Sequence, residues 1–570
     1  MGAFKEPHGG VLRELYLGES AAEEETAKAL DYKSWDLTER QLCDLELLLC
    51  GAFSPLEGFL TRQEYENVIE DMRLPSGLLW PIPITLDVDQ KFAENISVGE
   101  TIALRDREGV VISTLEVTDI WTPDRALEAA SVFGTEDEAH PGVDYLFNIA
   151  FPVYLGGKLR GIEPPAHYDF QLLRDSPSEL RGRFRKLGWR KVVAFQTRNP
   201  MHRAHQEMTF RAAREQEANL LIHPTVGMTK PDDIDHYARV RCYEHILQRY
   251  PEQTTTLSVV NLAMRMAGPK EALWHGIVRK NFGCTHLIVG HDHAGPRRAQ
   301  GGKPFYKPYE AQELFGTHEA ELDITMVPFQ QLVYVEDRAQ YMTVDETTPD
   351  MKIGTLTDTE FRRRLREGLD VPEWYSYPEI IDELKRIYPP RHTQGFTVFF
   401  TGLPGAGKST IANALLVKLL EIGDRSVTLL DGDVVRKNLS SELGFSRNHR
   451  DLNVLRIGFV ASEITKNGGV AICAPIAPYR TTRRRVREVI EAVGGFLEVY
   501  VSTPLEVCEG RDRKGHYAKA RAGAITGFTG IDDPYETPER AELVIDTQNL
   551  SPQLAAQRIL VKLESMGFVR

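Results

Sequence analysis

The segment that most constrains the fold of this chain is 402–410, with the sequence GLPGAGKST. It fits the pattern G-x-x-x-x-G-K-[ST], in which glycines let backbone N–H groups curl around phosphate oxygens. An apolar run at 396–400 precedes the segment, and a helical stretch at 411–420 follows it. A strand, a glycine-rich loop and a helix in this order predict an α/β unit that holds a nucleotide phosphate at the helix start. A glycine turn without a ligand is the alternative.

Side chains in and after this loop have the chemistry to act on a nucleotide. Lys408 would neutralise the β- and γ-phosphates of ATP, and the Ser409 hydroxyl would ligate Mg²⁺. The predicted nucleotide contacts are Gly402, Gly405, Ala406, Gly407, Lys408, Ser409 and Thr410. Asp433 follows a second apolar run, where its carboxylate could lie near Mg²⁺ or accept the proton of an attacking hydroxyl. A simple helix cap is the alternative for Asp433.

A second candidate phosphate site is the segment 196–205, QTRNPMHRAH, which follows an apolar run at 191–195. Pro200 suits the first turn of a helix, which we predict to begin near Met201. His202 and His205 would then share one face near the helix start, where ring donors and the helix dipole attract phosphate. Such a pair could instead bind a metal ion, or be packed or capped. The segment alone leaves these alternatives open.

The order of predicted elements divides the chain into domains. With 570 residues it is too long for one core, because domains usually have roughly 100–200 residues. The predicted strands lie at 79–86, 101–104, 191–195, 219–223 and 285–289. The first two indicate a strand-rich beginning, and the last three alternate with helical segments, which is typical of a parallel sheet. Charged helices are predicted at 357–367 and 378–387, and two adjacent prolines mark a boundary within 388–395.

Composition and charge disfavour several classes of protein. The net charge of −14 disfavours binding to nucleic acid or to an anionic membrane. We find neither an apolar run long enough to span a bilayer nor an apolar signal core at the N-terminus. The six cysteines are scattered without a C-x-x-C pair, which argues against a disulfide framework. We therefore expect a cytoplasmic protein that acts on small molecules.

Beyond the phosphate loop, five runs resemble adenylylsulfate kinase across about 395–570: DGDVVRKNLSSELGFS, NHRDLNVLRIG, APIAPYR, RDRKGHY and FTGIDDPYE. The resemblance implies transfer of the ATP γ-phosphate to the 3′-hydroxyl of adenylylsulfate, with Asp433 as the base or metal-side acid. It implies that Arg436, Arg450 and Asn453 hold the sulfate group of the nucleotide. Phe445 and Phe528 would enclose its adenine, and Lys514 would lie in a mobile lid.

The chain departs from this kinase pattern at a few positions. Val434, Leu452 and Leu455 replace polar residues of the usual pattern, as in a bacterial subgroup in which the kinase is fused to another enzyme. Ala477 stands where some members carry a serine that was proposed to be phosphorylated. Without that serine, direct in-line transfer is the remaining route.

The histidine segment is part of a wider resemblance to ATP sulfurylase, from about 35 to 390. The runs that carry it are RQLCDLELLLCGAFSPLEGF, WPIPITLDV, AHPGV, QTRNPMHRAH, HPTVGMTKPDDIDHYARVR, LAMRMAGPKEALWHGIVRKNFG and VGHDHAGP. The resemblance implies that a sulfate oxygen attacks the α-phosphorus of ATP and that pyrophosphate leaves. No protein nucleophile is needed, so catalysis consists of positioning and charge stabilisation.

The same resemblance assigns roles to residues of the first half. Thr197, Arg198 and Asn199 would be the catalytic group, while His202 and His205 would stabilise the phosphates and the leaving pyrophosphate. Sulfate would be held by Gln196, Arg198 and the backbone at Ala294. The nucleotide pocket would be lined by Gln196, Gly290, His291, Asp292, His293 and Leu332. Mg²⁺ would travel on the ATP phosphates.

His291 is a departure, because the usual motif G-R-D-H reads Gly290-His291-Asp292-His293 here. Arginine is always charged, whereas an unperturbed histidine is largely neutral at pH 7. Either Arg297 or Arg298 supplies the lost charge, or His291 itself contacts a phosphate. A zinc site formed by 291–293 with the two earlier histidines is disfavoured, because adjacent residues in a loop rarely converge with tetrahedral geometry.

Together these observations predict a multidomain α/β chain. The expected domains are a β-rich, barrel-like domain at 1–170, a Rossmann-like nucleotidyltransferase domain at 171–330, a small subdomain and linker at 331–392, and a P-loop kinase domain at 393–570. The expected function is two-step sulfate activation with ATP and Mg²⁺, by a homo-oligomer. The alternative is a sulfurylase whose kinase-like domain only senses the 3′-phosphorylated product. In the subfamily with such a sensor the phosphate loop is damaged, whereas here it is intact.

Overall fold

The computed structural model describes residues 5–230, 233–296, 303–512 and 515–570, and only the backbone at Asp433. The chain divides into two compact units. The first comprises Met1–Asp358 and Val371–Ile387, and the second comprises Thr359–Asp370 and Tyr388–Arg570. In the described part of the chain, no helix combines the length and the apolar character needed to cross a membrane.

The beginning of the first unit is a mixed sheet with helices around it. Its strands are β1 (Ser34–Asp36), β2 (Gly58–Phe59), β3 (Leu86–Val88), β4 (Thr101–Arg105), β5 (Val111–Trp121) and β6 (Val153–Gly161). Its helices are α1 (Glu19–Ala29), α2 (Glu39–Leu49), α3 (Arg62–Asp71), α4 (Gln90–Glu94), α5 (Arg125–Phe133) and α6 (Pro141–Asp144). The order is β1-β4-β5-β6-β2, with β3 also on β6. Only β1 and β4 run parallel among these pairs of described strands.

The predicted strand at 79–86 is wrong over most of its length. Its residues are buried, but regular pairing begins only at β3, which starts at Leu86. Pro81 and Pro83 explain the difference, because a proline has no N–H to donate to a neighbouring strand. The predicted strand at 101–104 is confirmed by β4.

The next part of the first unit alternates strands and helices. Its strands are β7 (Val192–Phe195), β8 (Asn219–Ile222), β9 (Thr255–Leu257), β10 (His286–Val289) and β11 (Thr325–Pro328). Its helices are α7 (Pro177–Leu187), α8 (Arg203–Glu215), α9 (His236–Leu247), α10 (Gly268–Asn281) and α11 (Glu310–Leu322). The sheet is parallel, in the order β11-β10-β7-β8-β9. The order reverses at β7, so a crevice is expected outside the carboxyl ends of β7 and β10.

A small antiparallel sheet and two helices follow. The strands are β12 (Leu332–Val335), β13 (Gln340–Thr343) and β14 (Ile353–Gly354), in the order β13-β12-β14. The helices are α12 (Asp358–Glu367) and α13 (Pro378–Ile387), as the sequence predicted. β12 packs against α8, and α13 packs against α9. Both elements therefore lie close to the helices that follow β7 and β8.

The second unit is built on another parallel sheet. Its strands are β15 (Phe396–Gly402), β16 (Val427–Asp431), β17 (Val470–Ala474), β18 (Gly495–Val501) and β19 (Leu543–Ile545), in the order β16-β17-β15-β18-β19. Its helices are α14 (Lys408–Ile422), α15 (Gly432–Asn438), α16 (Arg447–Lys466), α17 (Arg480–Glu491), α18 (Leu505–Gly510), α19 (His516–Arg521) and α20 (Pro552–Ser565). Phe396, Val398 and Phe400 on one face of β15 are fully buried in the core under α14 and α20. The predicted α/β multidomain class is confirmed.

Candidate active sites

The first candidate site lies at the carboxyl ends of β7 and β10, where the sheet order reverses. The loop after β7 carries Gln196 to Asn199, and the loop after β10 carries Gly290 to Ala294. The two strands pair directly, so their loops leave the same edge of the sheet. A contact of 3.4 Å from Arg198 Nη2 to the carbonyl of Gly295 joins them. The structure thus brings together the residues predicted to hold sulfate and nucleotide.

Arg198 is the cation at the centre of this loop. Its Nη1 donates to both oxygens of Asp233, at 2.8 and 2.7 Å. Both side chains are largely buried, with 12% and 5% of their surface exposed. A carboxylate in this position uses the same donors that an oxyanion such as sulfate would use. The guanidinium is thus held by Asp233 through Nη1, while Nη2 faces the loop after β10.

The backbone of this loop is fixed by residues from α9. Arg239 Nη1 donates to the carbonyl of Arg198 at 3.0 Å and to that of Thr225 at 2.9 Å. The Tyr243 hydroxyl donates to the carbonyl of Asn199 at 2.8 Å. Since both side chains are buried, the loop is held rigidly for positioning a substrate.

The remaining predicted residues of the loop are also held in place. The Gln196 amide donates to Thr225 Oγ1 at 3.4 Å, and its side chain is buried. Thr197 Oγ1 accepts from the backbone N–H of Asn199 at 3.1 Å. The Asn199 side chain is exposed to solvent. The Gln196 side chain is therefore buried beneath the loop, whereas the Asn199 side chain lies on its solvent-exposed side.

His202 and His205 meet at the start of α8, but not as predicted. The helix begins at Arg203, with His202 as the preceding cap residue in extended conformation, so Pro200 lies outside the first turn. The reason is local: the backbone N–H of His202 donates to Nδ1 of His205 at 3.1 Å. Nδ1 of His205 is thus an acceptor, and in the neutral ring the proton is on Nε2.

Both residues are half-buried, and their ring centroids lie 6.0 Å apart. Burial lowers the pKa of His202 to about 3, with a smaller contribution from His205. Burial also lowers the pKa of His205 to about 4. The rings are therefore neutral without a ligand, and a bound polyphosphate would favour their protonated forms. This arrangement suits groups that gain charge as negative charge develops on a leaving group.

Two residues from the segment before α13 complete the surroundings of His202. Ser376 is 3% exposed, and its Oγ lies 2.8 Å from His202 Nδ1. The ring of Tyr375 lies 4.8 Å from the His202 ring. A hydroxyl can donate to a neutral ring nitrogen and accept from a protonated one. Sequence reasoning missed Ser376, because 174 residues separate it from its partner.

The loop after β10 presents its predicted residues unequally. His291 and Asp292 are exposed, whereas His293 is buried against His275. Ala294 has a left-handed backbone, with φ of 53°, which places it at the turn of the loop. Arg297 and Arg298, the alternative sources of charge near His291, lie outside the described residues. Leu332, the remaining predicted contact, begins β12.

The second candidate site is the phosphate loop between β15 and α14. Lys408 is buried, and its Nζ donates to the carbonyls of Gly402 at 2.9 Å and Leu403 at 2.7 Å. Burial lowers the pKa of Lys408 to about 8. Gly405 and Gly407 have φ of 75° and 106°, which residues with a side chain rarely adopt. The predicted strand–loop–helix context is present, and the loop is folded around its own lysine.

The loop is supported from beneath by three side chains that sequence reasoning missed. The hydroxyls of Thr503 and Thr547 donate to the carbonyl of Ala406, at 3.1 and 3.0 Å. Arg511 Nη1 donates to the Thr547 hydroxyl at 2.7 Å. Ser409 and Thr410 are exposed at the start of α14. The loop therefore turns its backbone and hydroxyl donors outward while its underside is fixed.

The residues predicted to bind adenylylsulfate form two groups. Arg436 lies over the ring of Phe445, at 4.4 Å from its centroid. Arg450 pairs with Asp533 at 2.9 Å and donates to the Thr529 hydroxyl at 2.8 Å, next to Phe528.

Two buried atoms near Arg450 indicate a ligand. Asn453 lies one helical turn after Arg450 on α16 and is buried. Within the described residues, neither Oδ1 of Asn453 nor Nε of Arg450 has a hydrogen-bond partner. Unpaired buried polar atoms of this kind mark a place where a polar ligand can bind. Lys514 and the side chain of Asp433 lie outside the described residues.

The departures from the kinase pattern fall mostly on the surface. Val434 and Leu452 are exposed, with 54% and 41% of their surface accessible. Leu455 packs at the edge of a hydrophobic cluster on the other face of α16. Arg456 and Arg480, two further arginines of this unit, pair with Glu442 and Glu539. Val434, Leu452 and Leu455 thus leave Arg436, Arg450 and Asn453 in place.

Comparison with known proteins gives matches along the whole chain. Family models match at 5–164 (PUA-like domain), 171–387 (ATP-sulfurylase) and 394–546 (adenylylsulphate kinase). The sulfate adenylyltransferase of Phaeosphaeria nodorum is 52% identical over 567 residues, and that of Mycosarcoma maydis is 51% identical over 570, each covering 99% of both chains. A solved structure, the hexameric APS kinase from Thiobacillus denitrificans, is 42% identical with a TM-score of 0.81, covering 100% of both chains.

Proposed function

The chain belongs to the sulfate adenylyltransferase family, with an adenylylsulfate kinase domain behind its ATP-sulfurylase domain, and we propose that it activates sulfate in two steps. It first makes adenylylsulfate from ATP and sulfate. It then phosphorylates the 3′-hydroxyl of adenylylsulfate with a second ATP. The observation that carries the proposal is the presence of two separately built phosphate sites, one in each unit.

In the first step, a sulfate oxygen attacks the α-phosphorus of ATP, and the bond to the bridging oxygen of the β-phosphate breaks. Gln196, Arg198 and the backbone at Ala294 hold the sulfate, and Thr197 and Asn199 help to orient the reacting groups. The leaving pyrophosphate gains negative charge, which His202 and His205 stabilise. Their neutral state without ligand supports this role, because they can take up charge when the phosphates require it. Leu332 and the loop from Gly290 to His293 line the nucleotide pocket.

In the second step, the 3′-hydroxyl of adenylylsulfate attacks the γ-phosphorus of ATP, and ADP leaves. Asp433 takes the hydroxyl proton, and Lys408 leaves its own loop carbonyls to neutralise the phosphates. Arg436, Arg450 and Asn453 hold the sulfate group, with Phe445 and Phe528 around the adenine and Lys514 above. Ala477 cannot carry a phosphoryl group, so the transfer is direct.

Both reactions use ATP with Mg²⁺, and the residues present fit that ion. The Ser409 hydroxyl is exposed at the start of α14, and Asp431 lies at the carboxyl end of β16. Within the described ranges, no group of three or more His, Cys, Asp or Glu side chains is arranged to hold a metal ion. A magnesium ion would therefore share its coordination between Ser409 and the ATP phosphates, where it neutralises phosphate charge.

The division into domains at 1–170, 171–330, 331–392 and 393–570 is part of the proposal. The three matched ranges support the main boundaries, and the antiparallel sheet from β12 to β14 supports a separate small subdomain. We also propose a cytoplasmic homo-oligomer. The six unpaired cysteines support a reducing compartment, and the hexameric state of the Thiobacillus protein supports oligomerisation.

A second candidate function is a sulfurylase whose kinase-like domain binds the 3′-phosphorylated product without catalysis. The names of the Phaeosphaeria and Mycosarcoma relatives mention only the sulfurylase reaction, which favours this second function. The complete loop from Gly402 to Thr410, with Lys408 inside it, favours an active kinase.

The deciding experiment is incubation of the purified chain with ATP, Mg²⁺, labelled sulfate and pyrophosphatase, followed by separation of the nucleotide products. We expect adenylylsulfate first and its 3′-phosphorylated form later. Adenylylsulfate that accumulates despite ample ATP would support the sensor instead of the kinase.

A further inference from the structure

A chain of three buried side chains runs from α10 to the loop after β10. His275 Nδ1 lies 2.9 Å from His293 Nε2, and His275 Nε2 lies 3.4 Å from Glu271 Oε1. Glu271 and His275 are completely buried, whereas His293 keeps 9% of its surface exposed. The chain therefore connects the interior of α10 to a residue predicted to line the nucleotide pocket.

Glu271 is the fixed end of the chain. Its carboxylate accepts the backbone N–H groups of Arg265 at 3.0 Å and Ala267 at 2.8 Å. Burial opposes its ionisation, but the contacts with His275 and the two backbone N–H groups prevail and lower the pKa of Glu271 below its ordinary value. Glu271 is thus an ionised group that can only accept hydrogen bonds.

The two histidines are neutral. Burial lowers the pKa of His275 and lowers that of His293 well below its ordinary value. Arg279, one turn beyond His275 on α10, is also buried and adds to both shifts. Each ring therefore carries one proton, and its position can be deduced from the neighbours.

The nitrogen of His275 that faces the carboxylate is Nε2, 3.4 Å from Glu271 Oε1. The alignment leaves Nε2 without a regular hydrogen bond, but the negative charge of Glu271 favours the proton on this nitrogen. Nδ1 of His275 is then bare, and the 2.9 Å contact requires the proton of His293 on Nε2. The other nitrogen of His293, Nδ1, is left as an acceptor, because the hydrogen bond that the ring makes within the described residues uses Nε2. The order of protons fixes His293 in one tautomer.

We infer that Glu271 and His275 are positioning residues that hold His293 so that its Nδ1 accepts a hydrogen bond from the nucleoside half of ATP. Phosphate oxygens cannot satisfy this nitrogen at neutral pH, because they are acceptors as well. The donors of ATP are the 2′- and 3′-hydroxyls of the ribose and the 6-amino group of adenine. The inference rests on the proposed sulfurylase function and adds to it that His293 recognises the nucleoside.

This role separates His293 from His205. In His205, Nδ1 accepts from the backbone and Nε2 carries the proton, so that ring offers a donor to phosphates. In His293, Nε2 is engaged by His275 and the ring offers an acceptor. Two histidines of one site are thus set to opposite hydrogen-bonding roles by their partners.

The test uses the full chain and measures kcat and KM of the sulfurylase reaction. The substrates are ATP, 2′-deoxy-ATP, 3′-deoxy-ATP and purine riboside triphosphate, which lacks the 6-amino group. We expect one analogue to show a KM about tenfold above that of ATP, with kcat little changed, because a hydrogen bond present in ground and transition state is lost. That analogue identifies the donor.

The variant His275→Leu should raise the KM for ATP about tenfold and abolish the discrimination against that analogue. His275→Gln should restore both, because its amide offers a carbonyl in place of Nδ1 and an N–H in place of Nε2. A residue needed only for packing would affect ATP and the analogue equally. Equal KM values for all four substrates in the wild type, or unchanged discrimination in His275→Leu, would overturn the inference.

The circular dichroism spectrum and the melting temperature serve as the folding control for each variant. The kinase reaction on supplied adenylylsulfate normalises the amount of protein, since its site lies in the other unit. If the wild-type chain forms no adenylylsulfate at all, the proposed function fails. The inference is then decided by calorimetric binding of ATP and the same three analogues to the wild type and both variants. The inference would still be supported if His275→Leu loses the discrimination between ATP and the analogue while the wild type and His275→Gln keep it.

Discussion

The two phosphate sites of this molecule are built in opposite ways. In the second unit, consecutive residues from Gly402 to Thr410 supply backbone donors, a lysine and a hydroxyl, and the flanking strand and helix orient them. In the first unit, the site depends on partners that are distant in the sequence, such as Asp233 for Arg198 and Ser376 for His202. A site formed by one continuous segment can be recognised by its sequence motif. A site formed by contacts between residues that are distant in the sequence depends on the whole fold.

The largest expected effect comes from removing the lysine of the phosphate loop. Lys408→Ala should lower kinase turnover by about a thousandfold, because the charge on the β- and γ-phosphates is lost. Sulfurylase turnover should stay within about twofold of the wild type, since its site lies in the other unit. Both rates are measured on the same preparation, with labelled sulfate and with supplied adenylylsulfate. Lys418→Ala, on the same helix, is the matched control and should leave both rates unchanged.

His202→Ala is the reciprocal variant. It should lower sulfurylase turnover by about a hundredfold, as the loss of a group that stabilises the leaving pyrophosphate does. Kinase turnover on supplied adenylylsulfate should persist. Loss of both activities in a folded protein, for either variant, would contradict two independent sites.

A smaller effect is expected at a partner of the catalytic residues. Ser376→Ala removes the hydroxyl 2.8 Å from His202 Nδ1 and should lower sulfurylase kcat about tenfold, with KM for ATP nearly unchanged. Ser376→Thr keeps the hydroxyl and should recover most of the rate. Steady-state kinetics of both variants provide the measurement. A rise in KM without a fall in kcat would show that Ser376 supports ATP binding and not the transition state.

A still smaller effect is expected at His291, which is exposed in the loop after β10. His291→Arg should strengthen ATP binding by about tenfold or less, because a charge-assisted hydrogen bond exceeds a neutral one by roughly 1–2 kcal/mol. The measurement is kcat/KM for ATP of both proteins between about pH 6 and 8, a range in which an arginine stays charged. Identical profiles for both proteins would mean that His291 carries no phosphate contact.

Sequence reasoning succeeded where structure is local. The phosphate loop, its strand and its helix were all predicted, and so were the strands that place Gln196 and Gly290 at one edge of a sheet. The helix was predicted to begin at Met201, two residues before its first residue, Arg203. The backbone N–H of His202 bonds to His205 and makes His202 the cap residue. The strand at 79–86 was wrong because of its prolines.

What the sequence could not provide is the identity of distant partners. Motifs identify Arg198 and His293 as candidates, but neither spacing nor periodicity indicates that Asp233 and His275 contact them. The proton position of His293, for example, depends on its contact with His275.

The burial of Lys408 couples nucleotide binding to proton uptake. Burial lowers the pKa of Lys408 to about 8, so near pH 8 about half of the unliganded molecules hold a neutral lysine. Bound phosphates would raise that pKa again, and the protein would then take up about half a proton per nucleotide at pH 8 and about a tenth at pH 7. Calorimetric titration with a non-hydrolysable ATP analogue, in buffers of different ionisation enthalpy, measures this uptake. In a weakly buffered solution, the kinase site would therefore report nucleotide binding as a rise in pH.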